Sequence, residues 1–157
     1  MRPEAAIIVM AKRPWVGLSK TRLCPPFTFE EAAGLYAAML RDTIELAAGV
    51  ENAALAVAVT PASAVDYFRA ITPAGTLFLP VEAADIGGCL EQVLEDLLRM
   101  GFRKAMAINS DGPSLPRAFL SHALDLLDQA DVVFGPSYDG GYYLVGLKQM
   151  QPLLFRG

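Results

Sequence analysis

The sequence predicts an α/β fold built on a mostly parallel sheet with helices on both faces, and three observations point to it. Near-continuous apolar stretches of strand length alternate along the chain with longer amphipathic stretches of helical period. Two short acidic segments, Ser110-Asp111-Gly112-Pro113 and Asp139-Gly140-Gly141-Tyr142, each follow a strand-like run and carry a carboxylate to a strand end. Finally, 157 residues with 54% hydrophobic content suit one compact domain with a substantial core.

Taken in order, Ala5 to Met10 reads as the first strand and leads into an irregular stretch, Pro14-Trp15-Val16-Gly17 and then Pro25-Pro26. Thr28 starts a helix with capping-box spacing, because Glu31 falls at the third helical position and can return a bond to the Thr28 backbone. Leu35, Met39, Ile44 and Leu46 are the expected buried face of that helix. A second strand over Ala53 to Thr60, a helix over Ala62 to Ile71 and a third strand over Thr76 to Val81 follow. Leu90, Val93, Leu94, Leu97 and Leu98 mark an amphipathic helix closed by Gly101, with Asp85 placed to cap its start. Lys104 to Asn109 is the fourth strand. The last helix is expected to bury Phe119, Ala123, Leu126 and Leu127, ahead of strands at Asp131 to Gly135 and Tyr142 to Leu147. No internal repeat, low-complexity tract or domain linker interrupts the pattern.

Charge narrows the functional classes. The net charge is −4, yet Arg2, Lys12, Arg13, Lys20 and Arg22 crowd the first 25 residues against Glu4 alone, so the remainder is strongly acidic. Such a surface repels a nucleic-acid polyanion but can hold a small phosphorylated ligand at a local basic cluster. A solvated basic loop is the plainer account of the same residues. The apolar runs are far shorter than the roughly 20 residues of a membrane span, and the first one runs directly into Lys12 and Arg13 with no cleavage-like site. The expected compartment is therefore the cytoplasm. Cys24 and Cys89 lie too far apart for a metal knuckle or redox motif and are expected to stay reduced. His122, on the flank of a helix stripe, has no ligand partner nearby in sequence.

Two common phosphate motifs are excluded by spacing. No glycine stands directly before Lys20-Thr21, so the stretch is not a P-loop, and no Gly-x-Gly-x-x-Gly follows the first strand. For Asp111 a strand-end carboxylate in a site and a turn-forming Asp before Gly-Pro both remain open. For Asp139 the alternatives are a second metal or acceptor contact, a base for an incoming hydroxyl, or a tight Asp-Gly turn.

Three ordered motifs carry a family resemblance: Met10-Ala11-Lys12-Arg13-Pro14 with Gly17 and Lys20-Thr21-Arg22-Leu23; Asn109-Ser110-Asp111-Gly112-Pro113-Ser114-Leu115; and Gly135 through Leu147. Across nearly its whole length the chain resembles a bacterial family of GT-A-type glycosyltransferase-like or nucleotide-diphospho-sugar transferases, of the type associated with radical-SAM and selenium-linked genes. It is similar in turn to the phospholactate guanylyltransferases. The resemblance implies a three-layer α/β/α, Rossmann-like GT-A fold over residues 1–157 as a single domain. It also implies that Ala11, Lys12, Gly17, Lys20, Thr21 and Arg22 surround the nucleotide, joined by Ser110, Gly140, Gly141 and Tyr142. Asp111 matches the strand-end aspartate that holds a divalent ion, Mg²⁺ or Mn²⁺, and Asp139 is the implied catalytic carboxylate.

The implied activity is metal-dependent transfer from a nucleotide-activated donor, with glycosyl transfer from an NDP-sugar first and nucleotidyl transfer second. A non-catalytic nucleotide-binding module is the third reading. The implied partners are that donor and an unidentified acceptor; from the residues themselves, an uncapped sheet edge or the apolar Leu153-Leu154-Phe155 would support a homodimer, and the oligomeric state stays open. Two departures stand out. Ala84-Asp85-Ile86-Gly87-Gly88-Cys89 replaces a Gly-Asp-Leu-Gly-Glu-Arg pattern and so loses a charged pair, and the sequence stops at Gly157 where relatives continue, as a C-terminally truncated form would.

Overall fold

The structure, a computed structural model, describes residues 2–156. Six strands, β1 (Ala5–Lys12), β2 (Ala53–Thr60), β3 (Leu77–Pro80), β4 (Lys104–Ile108), β5 (Val132–Pro136) and β6 (Tyr142–Leu147), form one sheet in the order β3-β2-β1-β4-β6-β5. All neighbours among β3, β2, β1 and β4 are parallel, and β6 alone runs against both β4 and β5. The helices are α1 (Phe29–Ala48), α2 (Val65–Arg69), α3 (Ile86–Arg99) and α4 (Arg117–Leu126). The predicted mixed α/β architecture with a mostly parallel sheet is the one observed.

The core lies in two layers, one on each face of the sheet. Ile7, Val9, Val57, Met106 and Ile108 point to the side covered by α1, α2 and α4, where they meet Leu40, Ile44, Phe68, Leu120 and Leu124. The alternate residues, Ala6, Ile8, Ala56, Ala58, Ala105 and Ala107, face α3 through Val93, Leu94 and Leu97. That second face is mostly alanine, and the leucine-rich stripe of α3 supplies the bulk that the strands lack.

Two expected helix faces are rotated. On α1 the buried side is Ala32, Ala33, Tyr36, Leu40, Thr43, Ile44 and Ala47, while Leu35 stands exposed. Spacing by three and four does mark a helix, but Ala32, Ala33 and Ala47, which let the helix approach the sheet, share the inward face with Tyr36, Leu40 and Ile44. On α4 Leu120, Ala123, Leu124 and Leu127 are buried and Phe119 and Leu126 are exposed. Leucines at i, i+4 and i+7 compete with Phe119 for the sheet and take it. The helix expected over Ala62 to Ile71 is a 3-10 turn at Ala62–Ala64 followed by the short α2.

The topology also positions a crevice. β1 pairs with β4 only from Ala5↔Lys104 to Val9↔Ile108, whereas it stays with β2 as far as Lys12↔Thr60. Beyond Val9 and Ile108 the two central strands part, at the point where the strand order reverses, which is where open α/β sheets bind ligands.

Candidate active site

The crevice opens into a cleft of about 980 Å³, near the top of the range for small-molecule sites. Its floor is the end of β1: Ala11 is buried, Lys12 is exposed, and the Arg13 N–H donates to the Thr60 carbonyl at 2.9 Å, extending the strand by one bond. The chain then turns through Trp15–Ser19, closed by the Leu18 and Ser19 N–H groups on the Trp15 carbonyl and by the Trp15 N–H on Ser19 Oγ at 2.8 Å. Gly17 sits in this turn at φ 85°, and a Cβ there would meet nothing within 4 Å, so the position demands conformation rather than space. Lys20 is itself left-handed (φ 53°), an uncommon state for a residue with a Cβ. Its ammonium lies 2.7 Å from Asp111 Oδ1.

Asp111 arrives from the opposite strand. β4 ends at Ile108, and Asn109 Oδ1 accepts the Asp111 N–H at 3.2 Å, a local turn that aims the carboxylate out of the sheet. Between the two strand ends stands the Tyr36 hydroxyl. It accepts the Lys12 N–H at 3.0 Å, donates to the Lys12 carbonyl at 3.0 Å, and lies 3.2 Å from the buried Ser110 Oγ. Tyr36 thus braces the crevice from below where sheet pairing has stopped.

Arg13 and Trp15 form one wall, with the guanidinium 4.7 Å from the indole centroid, a cation–π distance. On the other side Asp85 caps α3, accepting the Gly88 N–H at 2.6 Å. Cys89 lies just beyond, and burial, with Asp85 adding to it and Lys12 opposing, pushes its thiol up from its ordinary pKa. Positive charge is therefore gathered in Lys12, Arg13 and Lys20 on a cleft that Asp111 and Asp85 also line.

Of the residues singled out in the sequence, Ala11, Lys12, Lys20, Ser110 and Asp111 come together on this cleft. Gly17, Thr21 and Arg22 are neighbours in the chain but do not line it; Thr21 and Arg22 are exposed in a 3-10 turn. The β5–β6 hairpin holds Asp139, Gly140, Gly141 and Tyr142 away from the cleft lining. There the Asp139 carboxylate accepts the Ser137 hydroxyl at 2.6 Å and the Gly141 N–H at 3.0 Å, and these two bonds hold its pKa below the usual carboxylate range. Gly140 takes φ 89°, and the Tyr142 ring packs on Phe134 at 5.2 Å. No motif in the sequence marks Tyr36 as part of the site. The available signal was a tyrosine on the helix stripe between Ala32 and Leu40, an apolar face with one hydroxyl in it.

Among the described residues no group of three or more His, Cys, Asp or Glu side chains is placed to hold a metal ion. The donor set is a lone strand-end carboxylate beside lysines. It fits a hard cation that keeps several waters and takes its remaining ligands from phosphate oxygens, and it does not fit a cation caged by protein alone.

Residues 43–157 match the model of a bacterial family described as "Uncharacterized protein conserved in bacteria (DUF2064)". The chain belongs to the DUF2064 family. One sequence relative of this DUF2064 chain is a 2-phospho-L-lactate guanylyltransferase from Methanothermobacter thermautotrophicus, 32% identical over 124 residues, 78% of this chain. The chain spans only 53% of that relative's length. A crystal structure described as a "putative nucleotide-diphospho-sugar transferase" from Desulfovibrio desulfuricans superposes with a TM-score of 0.92 at 28% identity, over 99% of this chain and 68% of that one. Rv0371c from Mycobacterium tuberculosis, in its manganese complex, shares the fold at a TM-score of 0.61 and 18% identity, over 99% of this chain and 76% of that one.

Proposed function

We propose that this DUF2064 protein is a metal-dependent transferase that takes a nucleotide-activated donor in the cleft at the end of β1, with an NDP-sugar as the donor. The observation that carries this reading is the convergence of Lys12, Lys20 and Asp111, from opposite strands, on one cleft, with Lys20 Nζ 2.7 Å from the Asp111 carboxylate. Lys12 and Lys20 are mobile positive charges for the diphosphate. Asp111 would hold a Mg²⁺ or Mn²⁺ ion, which when bound neutralises charge on the leaving diphosphate. The Arg13–Trp15 wall offers a face on which a base or sugar can stack. Likeness to the Desulfovibrio protein supports an NDP-sugar donor.

Nucleotidyl transfer is the second reading, favoured by the guanylyltransferase relative. The two differ in the bond broken. In glycosyl transfer the acceptor oxygen bonds to the sugar carbon and the nucleoside diphosphate leaves with the electron pair. In nucleotidyl transfer that oxygen bonds to the α-phosphorus and pyrophosphate leaves with the pair. In both the acceptor's proton passes to solvent.

Thermal denaturation tests the shared core of both. A nucleoside diphosphate or NDP-sugar at about a hundred times its Kd should stabilise by about 2.7 kcal/mol, a rise in Tm of roughly 5–10 °C for a domain of this size, only when Mn²⁺ or Mg²⁺ is present. Asp111→Ala should remove the metal dependence. Absence of any nucleotide shift defeats both readings. Release of NDP from an NDP-sugar or of pyrophosphate from an NTP then separates them, and binding without turnover leaves a nucleotide-binding module.

A further inference from the structure

A second, smaller pocket of about 250 Å³ adjoins the cleft, and the two share Asn109 and Asp111 and no other lining residue. Asp111 therefore stands as a partition, with the basic loop on one side and Ser114, Leu115, Thr43 and Tyr143 on the other. We infer that this pocket is the acceptor subsite and that it takes a small hydroxylated molecule carrying no negative charge. The assignment as an acceptor site rests on the donor reading above; the charge preference rests on the pocket alone.

The lining contains no Lys, Arg or His, and its one charged group is the Asp111 carboxylate. A phosphate or carboxylate on the occupant would need cationic side chains or a cradle of free amide N–H groups. The 109–115 loop offers part of such a cradle, since the Gly112 and Ser114 N–H groups make no hydrogen bond among the described residues, but it sets the Asp111 carboxylate beside them, which repels an anion. The Asp111 N–H is bonded to Asn109 Oδ1, the Leu115 N–H to the Gly112 carbonyl, and Pro113 has none. The Thr43 hydroxyl donates to the Met39 carbonyl at 2.8 Å. Hydroxyl groups, by contrast, can give protons to Asp111 and exchange bonds with Ser114 and the Asn109 amide. At about 250 Å³ the pocket is slightly below the usual ligand range, so its occupant is small.

The hairpin motif gains a part in this site. A Cβ on Gly135 would come within 2.5 Å of Tyr143 ring atoms, so the bare glycine lets that ring lie flat across β5 and form the pocket wall. The bulge in β5–β6 pairing falls at Gly135 and Pro136, where it sets the approach of the two strands.

Backbone amide spectra of the whole chain, free and with Mn²⁺-free Mg²⁺ plus nucleoside diphosphate, test this with a matched pair of probes, glycerol and glycerol 3-phosphate, together with ethanolamine and 2-phospho-L-lactate. Glycerol and ethanolamine should shift the Ser114, Leu115 and Tyr143 amides, and the two phosphorylated probes should bind there at least tenfold more weakly. Gly135→Ala should weaken glycerol binding at least fivefold while the nucleotide still shifts the Lys12 and Lys20 amides. Ser114→Trp, which crowds the same pocket without touching the sheet, serves if Gly135→Ala does not fold. Stronger binding of a phosphorylated probe, no shift at those three amides with any neutral or cationic probe, or unchanged glycerol affinity in the folded variants would overturn the inference. Loss of the Lys12 and Lys20 response alone would instead defeat the donor reading, because the glycerol pair is also compared in the nucleotide-free protein.

Discussion

Tyr36 is where the structure adds most to the residue-level reading. Its hydroxyl bonds to both backbone groups of Lys12 and sits beside Ser110, partners 24 and 74 residues away, so nothing local in the sequence announces the contact. Tyr36→Phe keeps the packing but leaves a part-buried N–H and carbonyl unpaired, and chemical denaturation should show a loss of about 1–3 kcal/mol. The same variant should weaken nucleotide binding, since Lys12 loses its brace. Asp139 is the opposite case: spacing admits both a turn-forming and a catalytic reading, because it cannot reveal what a carboxylate bonds to. Its pKa is depressed by the Ser137 hydroxyl and the Gly141 N–H, so those bonds hold above the unfolded value of about 3.9 and fade as pH falls through the lower folded value. The protection factor of the Gly141 amide, its exchange relative to a free amide at the same pH, should therefore fall in strong acid and stay flat above about pH 5. In Ser137→Ala the carboxyl should titrate at higher pH; an unmoved titration would show that this hydroxyl is not the main cause.

At the level of elements, start signals were the most legible because they are local. Thr28 and Glu31 form the reciprocal capping box that their spacing implied, and Asp85 caps α3 through Gly88 as expected. Asp85→Ala should cost about 1 kcal/mol, readable as a fall in Tm of roughly 2–4 °C, while Asp85→Asn should be nearly neutral. Orientation was less legible. Hydrophobic spacing identifies α1 and α4 as helices but points Leu35 and Phe119 inward: on α1 the buried Ala32, Ala33 and Ala47 are invisible to a count of large side chains, and on α4 the leucines at 120, 124 and 127 form a competing stripe. The Gly87-Gly88 pair also has a structural consequence. A Cβ at Gly87 would fall 2.7 Å from the Phe155 carbonyl, so the bare glycine lets the segment around Phe155 seat closely on α3, where Arg156 on Glu91 at 2.6 Å ties it further.

For the molecule as a whole, fold class followed from alternation of strand and helix, whereas strand order did not. The insertion of β6 between β4 and β5, against the direction of both, is a pairing choice made between residues far apart in sequence, and no local pattern encodes it. The crevice inherits that property: its basic wall comes from the first 20 residues and its acidic partner from the loop after β4. Both sheet edges end in proline, Pro80 on β3 and Pro136 on β5, which withholds an N–H from any strand that would add there.

The central place of β1 also sets a timetable for synthesis. β1 emerges first, yet one of its two neighbours, β4, is made only after residue 103, and Ser110 and Asp111 come later still. At about 5–20 residues per second the Lys12–Arg22 loop waits roughly 5–20 s for its anchors. Ribosome-bound chains of graded length should stay open to trypsin between Lys12 and Arg22 until β4 has cleared the exit tunnel. Protection in chains ending before Lys104 would mean that β1 and β2 alone can hold the loop. The nascent protein thus carries its most basic segment unanchored until β4 and the Ser110–Asp111 turn have been made.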